Sequence, residues 1–278
     1  MGKANFGLRI AAIALLATGA LAADKRNEFK FNAASGSSVT VTNLHGAVTV
    51  KSGAGRQVLI VATTHSDQMA VEANQYGSRI DARTSGKAAG DAARVEYEVT
   101  VPADVDITVR GGSGSVRVER VRADVEVEAD SGRVEVRDSS NGHVHVRTVD
   151  GPVNLFSLSN SHIEVTTVSG DVTLKAVTGP HLNVNAGKGS IYYDGDFGGS
   201  GEYILTNNSG NIEVTVPASA AISLKAHSIR GSVQNDLAGQ EMPGMQAGAP
   251  RSLVGTSKAA SSSVDLRSFS GKIRVKKQ

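Results

Sequence analysis

The 278-residue chain carries 29 Lys and Arg against 27 Asp and Glu, 31 glycines, 4% aromatic residues, and neither cysteine nor tryptophan. Its charges alternate in sign rather than cluster, which removes the electrostatic footprint of a nucleic-acid binder or of a protein held on an acidic membrane surface. Without cysteine there is no disulfide framework and no lipidated thiol, so the core alone has to supply stability.

At the N-terminus, Lys3 and Arg9 flank an apolar run from Ile10 to Leu16 that leads into Ala20-Leu21-Ala22. A basic start, a short apolar stretch and an A-x-A site predict a secretory signal peptide over residues 1–22. The run falls short of the roughly 20 apolar residues that a membrane span needs, and Asp24, Lys25 and Arg26 follow it closely. Cleavage after Ala22 removes Lys3 and Arg9 and leaves 27 basic against 27 acidic residues. The expectation is an exported protein, periplasmic or at the cell surface, with no membrane span in the mature chain.

Residues 23–110 read as irregular β coils and a cap, with strands at Ser38–Thr42, Ala47–Lys51, Val58–Thr64, Val95–Val101 and Asp106–Arg110. A polar excursion is expected over Arg83–Ala93, and a separate small β domain is the alternative for this region.

From residue 111 to 278 a unit recurs, glycine-x-β-branched-x-apolar. It begins at Gly114, Gly132, Gly151, Gly170, Gly189, Gly210, Gly231 and Gly271, and the spacings up to Gly231 are 18, 19, 19, 19, 21 and 21. Halfway between lies a second set, exemplified by Ala123-Asp-Val-Glu-Val127, Gly142-His-Val-His-Val146 and Ser161-His-Ile-Glu-Val165. Each repeat thus holds two strands whose period-2 alternation buries one face, and no stretch after residue 22 carries a helical period. So short a pair cannot bury its apolar face alone; stacked coil on coil it forms continuous internal ladders. The predicted fold is all-β, a single-stack β-solenoid or β-helix with about 19–21 residues and two strands per coil. Val116, Val134, Val153, Val172, Ile191, Ile212, Val233 and Ile273 form one inward ladder, taken in chain order. Outside, Arg117 is expected beside Glu135, Glu119 beside Arg137, and Lys175 beside Asp194. Residues 236–261, rich in Gly, Ala, Ser and Pro, read as a surface loop before a final coil, whose lysines 276 and 277 would protect an open edge.

The units Ser113-Gly-Ser-Val-Arg-Val118, Ser131-Gly-Arg-Val-Glu-Val136, Ser169-Gly-Asp-Val-Thr-Leu174, Ser209-Gly-Asn-Ile-Glu-Val214 and Ser270-Gly-Lys-Ile-Arg-Val275, with Val101-Pro102 ahead of them, carry a resemblance. The chain resembles a family of bacterial exported proteins of unknown function called putative adhesins. The resemblance implies a β-solenoid in the cell envelope; these motifs specify a fold rather than a chemistry.

Catalytic residues are not identified. A sugar-cleaving site needs paired carboxylates, or acids beside a base, in an aromatic-lined groove. Asp130, Asp150 and Asp171 fall in different registers relative to their glycines and read as turn residues. Gly112-Ser-Gly114 leads into a strand instead of the helix N-terminus of a phosphate loop. Asn207-Asn-Ser209 matches a glycosylation sequon. One constellation stands out: His143, His162 and His181 recur at 19-residue spacing in one outward column, with Asp124 ahead of them and Glu126, His145, Glu164 and Asn183 alongside. Imidazoles and carboxylates about 4.8 Å apart suit a divalent metal, so His143, His145, His162, His181 and Glu164 form a candidate metal site; no other cofactor is implied.

The functional reading is a non-catalytic envelope protein acting in adhesion or as a scaffold. Its partner would be an envelope polysaccharide or protein, with self-assembly as a further possibility and no nucleic acid. The alternatives are a polysaccharide-active β-helix enzyme and a metal- or pH-responsive envelope sensor.

Overall fold

The computed structural model describes residues 24–237, 246–247, 251–256 and 259–278. The signal peptide expected over 1–22 lies outside the described residues, as does part of the 236–261 segment. Among the described residues two sheets stand face to face, one of 12 and one of 13 strands, and each coil contributes one strand to each sheet. The coils pair in parallel: Val116–Glu119 with Val134–Arg137, then Val153–Leu158, Val172–Val177 and Ile191–Asp194 in one sheet, and Val125–Ser131 with His143–Asp150, His162–Ser169 and His181–Lys188 in the other. This is the two-strand solenoid that the repeat predicts.

Alternation explains the core. Apart from the half-buried Val233, the inward ladder residues from Val116 to Ile273 are at most 2% exposed, and each buried Val or Ile contributes about 1.5–3 kcal/mol relative to an exposed one. β-branched side chains suit the site because stacked coils leave one rotamer well and one pleated surface to fill.

The serine-glycine corner is dictated by backbone contact. Gly170 sits at φ +140°, and a Cβ there would stand 2.1 Å from the carbonyl oxygen of Gly151 one coil below. The opposite corner obeys another rule: Arg120, Asp138, Ser157 and Ala176 stack with φ between 52° and 59°, without glycine. That left-handed column has no compositional signal in the sequence. Where the coil lengthens after Gly189, Tyr193, Phe197 and Tyr203 fill the extra volume, with ring centroids 5.1–5.9 Å apart. The Tyr193 hydroxyl donates to the Val177 and Asp196 carbonyls at 3.0 and 2.8 Å, and burial pushes its pKa far up.

Both ends depart from sequential stacking. The Ser262–Ser268 strand lies between Glu202–Ser209 and Ile222–Ser228, and Ile273–Lys277 lies between Ile212–Val216 and Val233–Asn235. The inward ladder therefore runs Ile212, Ile273, Val233, which corrects the chain-order expectation. Nor do the terminal lysines guard an edge: Lys276 pairs with Glu213 inside the stack. At the other end, Ser38–His45 lies between Arg79–Gly86 and Asp106–Ser113, and Val48–Ser52 lies between Val95–Val101 and Val116–Glu119. The first coil is thus enclosed by later chain.

The N-terminal cap is partly antiparallel. Lys25–Asn32 pairs with Gln57–Thr64, which pairs with Val95–Val101, and Met69–Tyr76 pairs with Arg79–Gly86. The expected excursion over Arg83–Ala93 is corrected: it begins as strand through Gly86, and only the 3-10 turn Gly90–Ala93 and its approach leave the sheets. A buried polar set ties cap to coil. The Asn43 amide donates to the Val95 carbonyl at 2.8 Å, and the Thr84 hydroxyl donates to Asn43 Oδ1 at 3.1 Å and lies 2.8 Å from Tyr97 Oη. The surface loop at 236–261 is corrected in part as well. Ser252–Thr256 is a strand antiparallel to Ile222–Ser228, with Gln246–Ala247 beside it, and Leu253 is buried. Of the expected outward charge pairs, Arg117 lies 3.6 Å from Glu135, whereas Lys175 lies over the Tyr192 ring at 5.5 Å although Asp194 is its rung neighbour.

Candidate functional site

The outer face of the 13-stranded sheet collects the residues with chemistry. Because the strands are in register, residues one coil apart stand side by side and every second residue faces outward. His143 aligns with His162 and His162 with His181, as the 19-residue spacing predicts. The first two rings stack with centroids 4.9 Å apart and planes 17° apart; the next pair is tilted, at 6.2 Å and 54°. Asp124 heads this column, its Oδ1 accepting the His143 backbone N–H at 2.8 Å.

In the neighbouring column His145 aligns with Glu164 and contacts it, Nδ1 to Oε2, at 3.0 Å. His181 makes a similar contact at 3.4 Å with Glu202, a residue that the sequence reading did not single out. Its signal was available: Glu202 follows His181 by 21 residues, the longer repeat spacing in that part of the chain. Two of the four imidazoles are thus committed to carboxylates. Those of His143 and His162 have no side-chain hydrogen bond among the described residues. There, no three His, Asp or Glu side chains are grouped to hold a metal. The five candidate residues share one patch, in which His143 and His162 are the two imidazoles without a carboxylate contact among the described residues.

Along the corner side of the same face runs a column that the sequence reading missed. Leu44, Val149, Val168 and Ile229 are more than half exposed, and Phe269 is 39% exposed. A shallow depression of about 490 Å³ lies along Leu44, Val149 and Val168, bordered by Arg110, Glu128 and Arg147. A second, of about 520 Å³, lies between Phe269, Ile229 and the Leu253–Val254 arm. Leu44, Val149 and Val168 lie near the ends of their strands, and Ile229 and Phe269 just past the ends of theirs, so only the coil register reveals the column.

The remaining motifs resolve on geometry. Asp130 is a rung neighbour of Val149, Asp150 of Ser169, and Asp171 Oδ1 caps the Ser190 N–H at 2.7 Å. The three acids do not converge. Strand Val116–Glu119 follows Gly114. Asn207 of the sequon is 1% exposed and donates to the Gly189 carbonyl at 2.7 Å, so its side chain serves the corner.

Parallel coils, a glycine corner and a regular outward sheet face define a β-solenoid whose chemistry-bearing residues are displayed on a surface instead of gathered in a cleft. The Toastrack DUF4097 family model matches residues 32–276, and the chain belongs to that family. The resemblance drawn from the serine-glycine units is therefore borne out. A solved structure of a putative adhesin from Bacteroides fragilis NCTC 9343 aligns with 90% of this chain and 97% of its own, at 10% identity and a TM-score of 0.52. At that identity the likeness is one of fold. A putative cell adhesion protein from Clostridium sporogenes ATCC 15579 aligns with 92% of this chain and 100% of its own, at 10% identity and a TM-score of 0.28. A search of curated proteins returned no match.

Proposed function

We propose that this is an exported, non-catalytic protein of the cell envelope that works by contact, as an adhesin or scaffold, through the outer face of its 13-stranded sheet. The observation that carries the reading is the histidine and carboxylate rows, held in register on a rigid sheet from Asp124 through His181 to Glu202. A surface that repeats at about 4.8 Å per coil suits a repeating or extended partner such as an envelope polysaccharide or a protein strand. The adhesin names of the aligned structures and the apolar N-terminal stretch support the same location. In the test, the purified chain is immobilised, exposed to cell-envelope fractions and compared with the triple variant His143→Ala, His162→Ala, Glu164→Ala. Capture of an envelope component by the parent and not by the variant is expected. Equal capture by both moves the contact to another face, and turnover of an envelope polysaccharide would replace the proposal with the enzyme reading.

A further inference from the structure

The exposed corner column has a symmetry of its own. Read rung by rung, Val168 stands in the middle; Val149 and Gly187 are one coil away on either side, Asp130 and Asn208 two, Gly112 and Phe269 three, and Leu44 and Ile229 four. Reversing the column about Val168 sets Phe269 opposite Gly112, Val149 opposite Gly187, Leu44 opposite Ile229, and Val168 opposite itself. Bulk meets space where Phe269 faces Gly112 and Val149 faces Gly187, while Leu44 with Ile229, and Val168 with its own copy, meet as apolar contacts. The two spaces are permanent, because a Cβ on Gly112 would stand 2.4 Å from the Leu44 carbonyl oxygen and one on Gly187 would stand 2.6 Å from that of Val168.

The adjacent corner column has the same centre. Ser169 is its middle rung, with Asp150 one coil before and Lys188 one coil after. Both side chains are exposed, and neither has an ion-pair partner among the described residues. Reversal about Ser169 brings Asp150 of one copy onto Lys188 of the other, twice per pair. Size at two rungs and charge at the Asp150 and Lys188 rungs are therefore self-complementary about one level of the stack.

We propose that two copies of this chain pack antiparallel along this corner ridge, about a two-fold axis at Val168 and Ser169, as an isologous dimer. Nine rungs at about 4.8 Å give a ridge about 38 Å long. The three outward columns from residue 166 to residue 169 span about 10 Å, so the ridge offers about 400 Å² per copy, a small and weak interface beside the ~800 Å² per partner of a standard one. In the neighbouring outward column the reversal opposes Arg110 and Arg267. Each is already paired in its own chain, with Glu128 at 3.2 Å and Asp265 at 2.5 Å, so they meet as ion pairs, not as bare cations. The arrangement goes beyond the adhesin reading and leaves the histidine columns of both copies uncovered.

The chain has no native cysteine, so single cysteines report the axis directly. Under mild oxidation Val168→Cys is expected to give a disulfide-linked dimer rapidly. Val149→Cys, about 10 Å from its symmetry mate, should react slowly, and Phe269→Cys, about 29 Å away, should not react. By sedimentation equilibrium, Lys188→Asp is expected to weaken the dimer about tenfold or more, and the double swap Asp150→Lys with Lys188→Asp to restore it. Both side chains are exposed, so circular dichroism should show every variant folded. A parent chain monomeric at about 100 μM overturns the proposal. So does cross-linking at Phe269→Cys as fast as at Val168→Cys, or a swap that fails to restore a dimer lost in Lys188→Asp.

Discussion

The backbone N–H of Lys272 donates to the side-chain oxygen of Asn211 at 3.0 Å, across 61 residues of chain. That contact marks the place where the last coil is inserted into a gap left two segments earlier. Among the described residues, strand Val233–Asn235 joins its sheet by pairing with Ile273–Lys277. Truncation before Ser262 therefore removes an interior layer, with the apolar surface of Val264, Leu266, Ile273 and Val275. It is expected to release the Ile222–Asn235 coil and to shorten the protected core in hydrogen exchange back to Val216. Retained protection at Leu224 would show that the coil docks without the insertion.

The segment before that coil offers a finer cut. Ser252–Thr256 covers the edge of Ile222–Ser228 and buries Leu253. Replacing Ser252–Thr256 by glycine-serine linker should lower the melting temperature by several degrees, at about 2–4 kcal/mol for the lost Leu253 contacts and ladder, and should promote aggregation through the bared edge. Unchanged melting and solubility would count against a structural role for this strand.

Corner strain separates two glycines. Gly170→Ala forces a side chain into a left-handed backbone and against the Gly151 carbonyl, and should cost about 2–4 kcal/mol. Gly199→Ala meets nothing within 4 Å and should fall within about 0.5 kcal/mol of the parent. Denaturant midpoints measure both. A similar midpoint for the two variants would refute the close-approach account of the corner.

Buried tyrosines set an alkaline limit. Burial pushes the Tyr97 hydroxyl up to about 12, against the opposing hydrogen bond with Thr84. An unfolded tyrosine ionises near 10, so between about pH 10 and 12 the folded chain holds a proton that the unfolded chain releases. The stability from this group is complete below pH 10 and is lost as pH rises through the folded value, to a total of about 2–3 kcal/mol. Denaturation curves at pH 8 and 11.5 should show this decline, shallower in Tyr97→Phe; an equal decline in that variant would assign it to other groups.

The histidine column bears on the candidate metal site read from the sequence. With His145 and His181 on carboxylates, the pair His143–His162 is left for a divalent cation, and two imidazoles with water make a weak site. Calorimetry at pH 7.5 should give shallow zinc binding that disappears in His143→Ala with His162→Ala, while the metal-free melting curve stays unchanged because these side chains face solvent. Heat that persists in the double variant would place the metal elsewhere.

Alternation and glycine spacing by themselves determined the all-β class, two strands per coil, the inward ladder from Val116 to Ile212 and the alignment of His143, His162 and His181. These follow from local rules: a period of two buries alternate residues, and a constant coil length carries each position onto the next. The repeat could not decide where coils enter the stack. Ile273, Val233 and Ile212 carry the same motif, and any order among them buries the same apolar area per coil. Only the closed structure, with both ends interleaved, chose Ile273 for the middle. The Leu44–Val149–Val168–Phe269–Ile229 column was hidden for a related reason. Its members lie near or just past the ends of five separate strands, at positions with no required residue type, so they become one surface only when tertiary register stacks them. Tyr193, Phe197 and Tyr203 likewise read as separate aromatics in the sequence. They became a cluster because the longer coil left a volume that three rings fill better than aliphatic side chains.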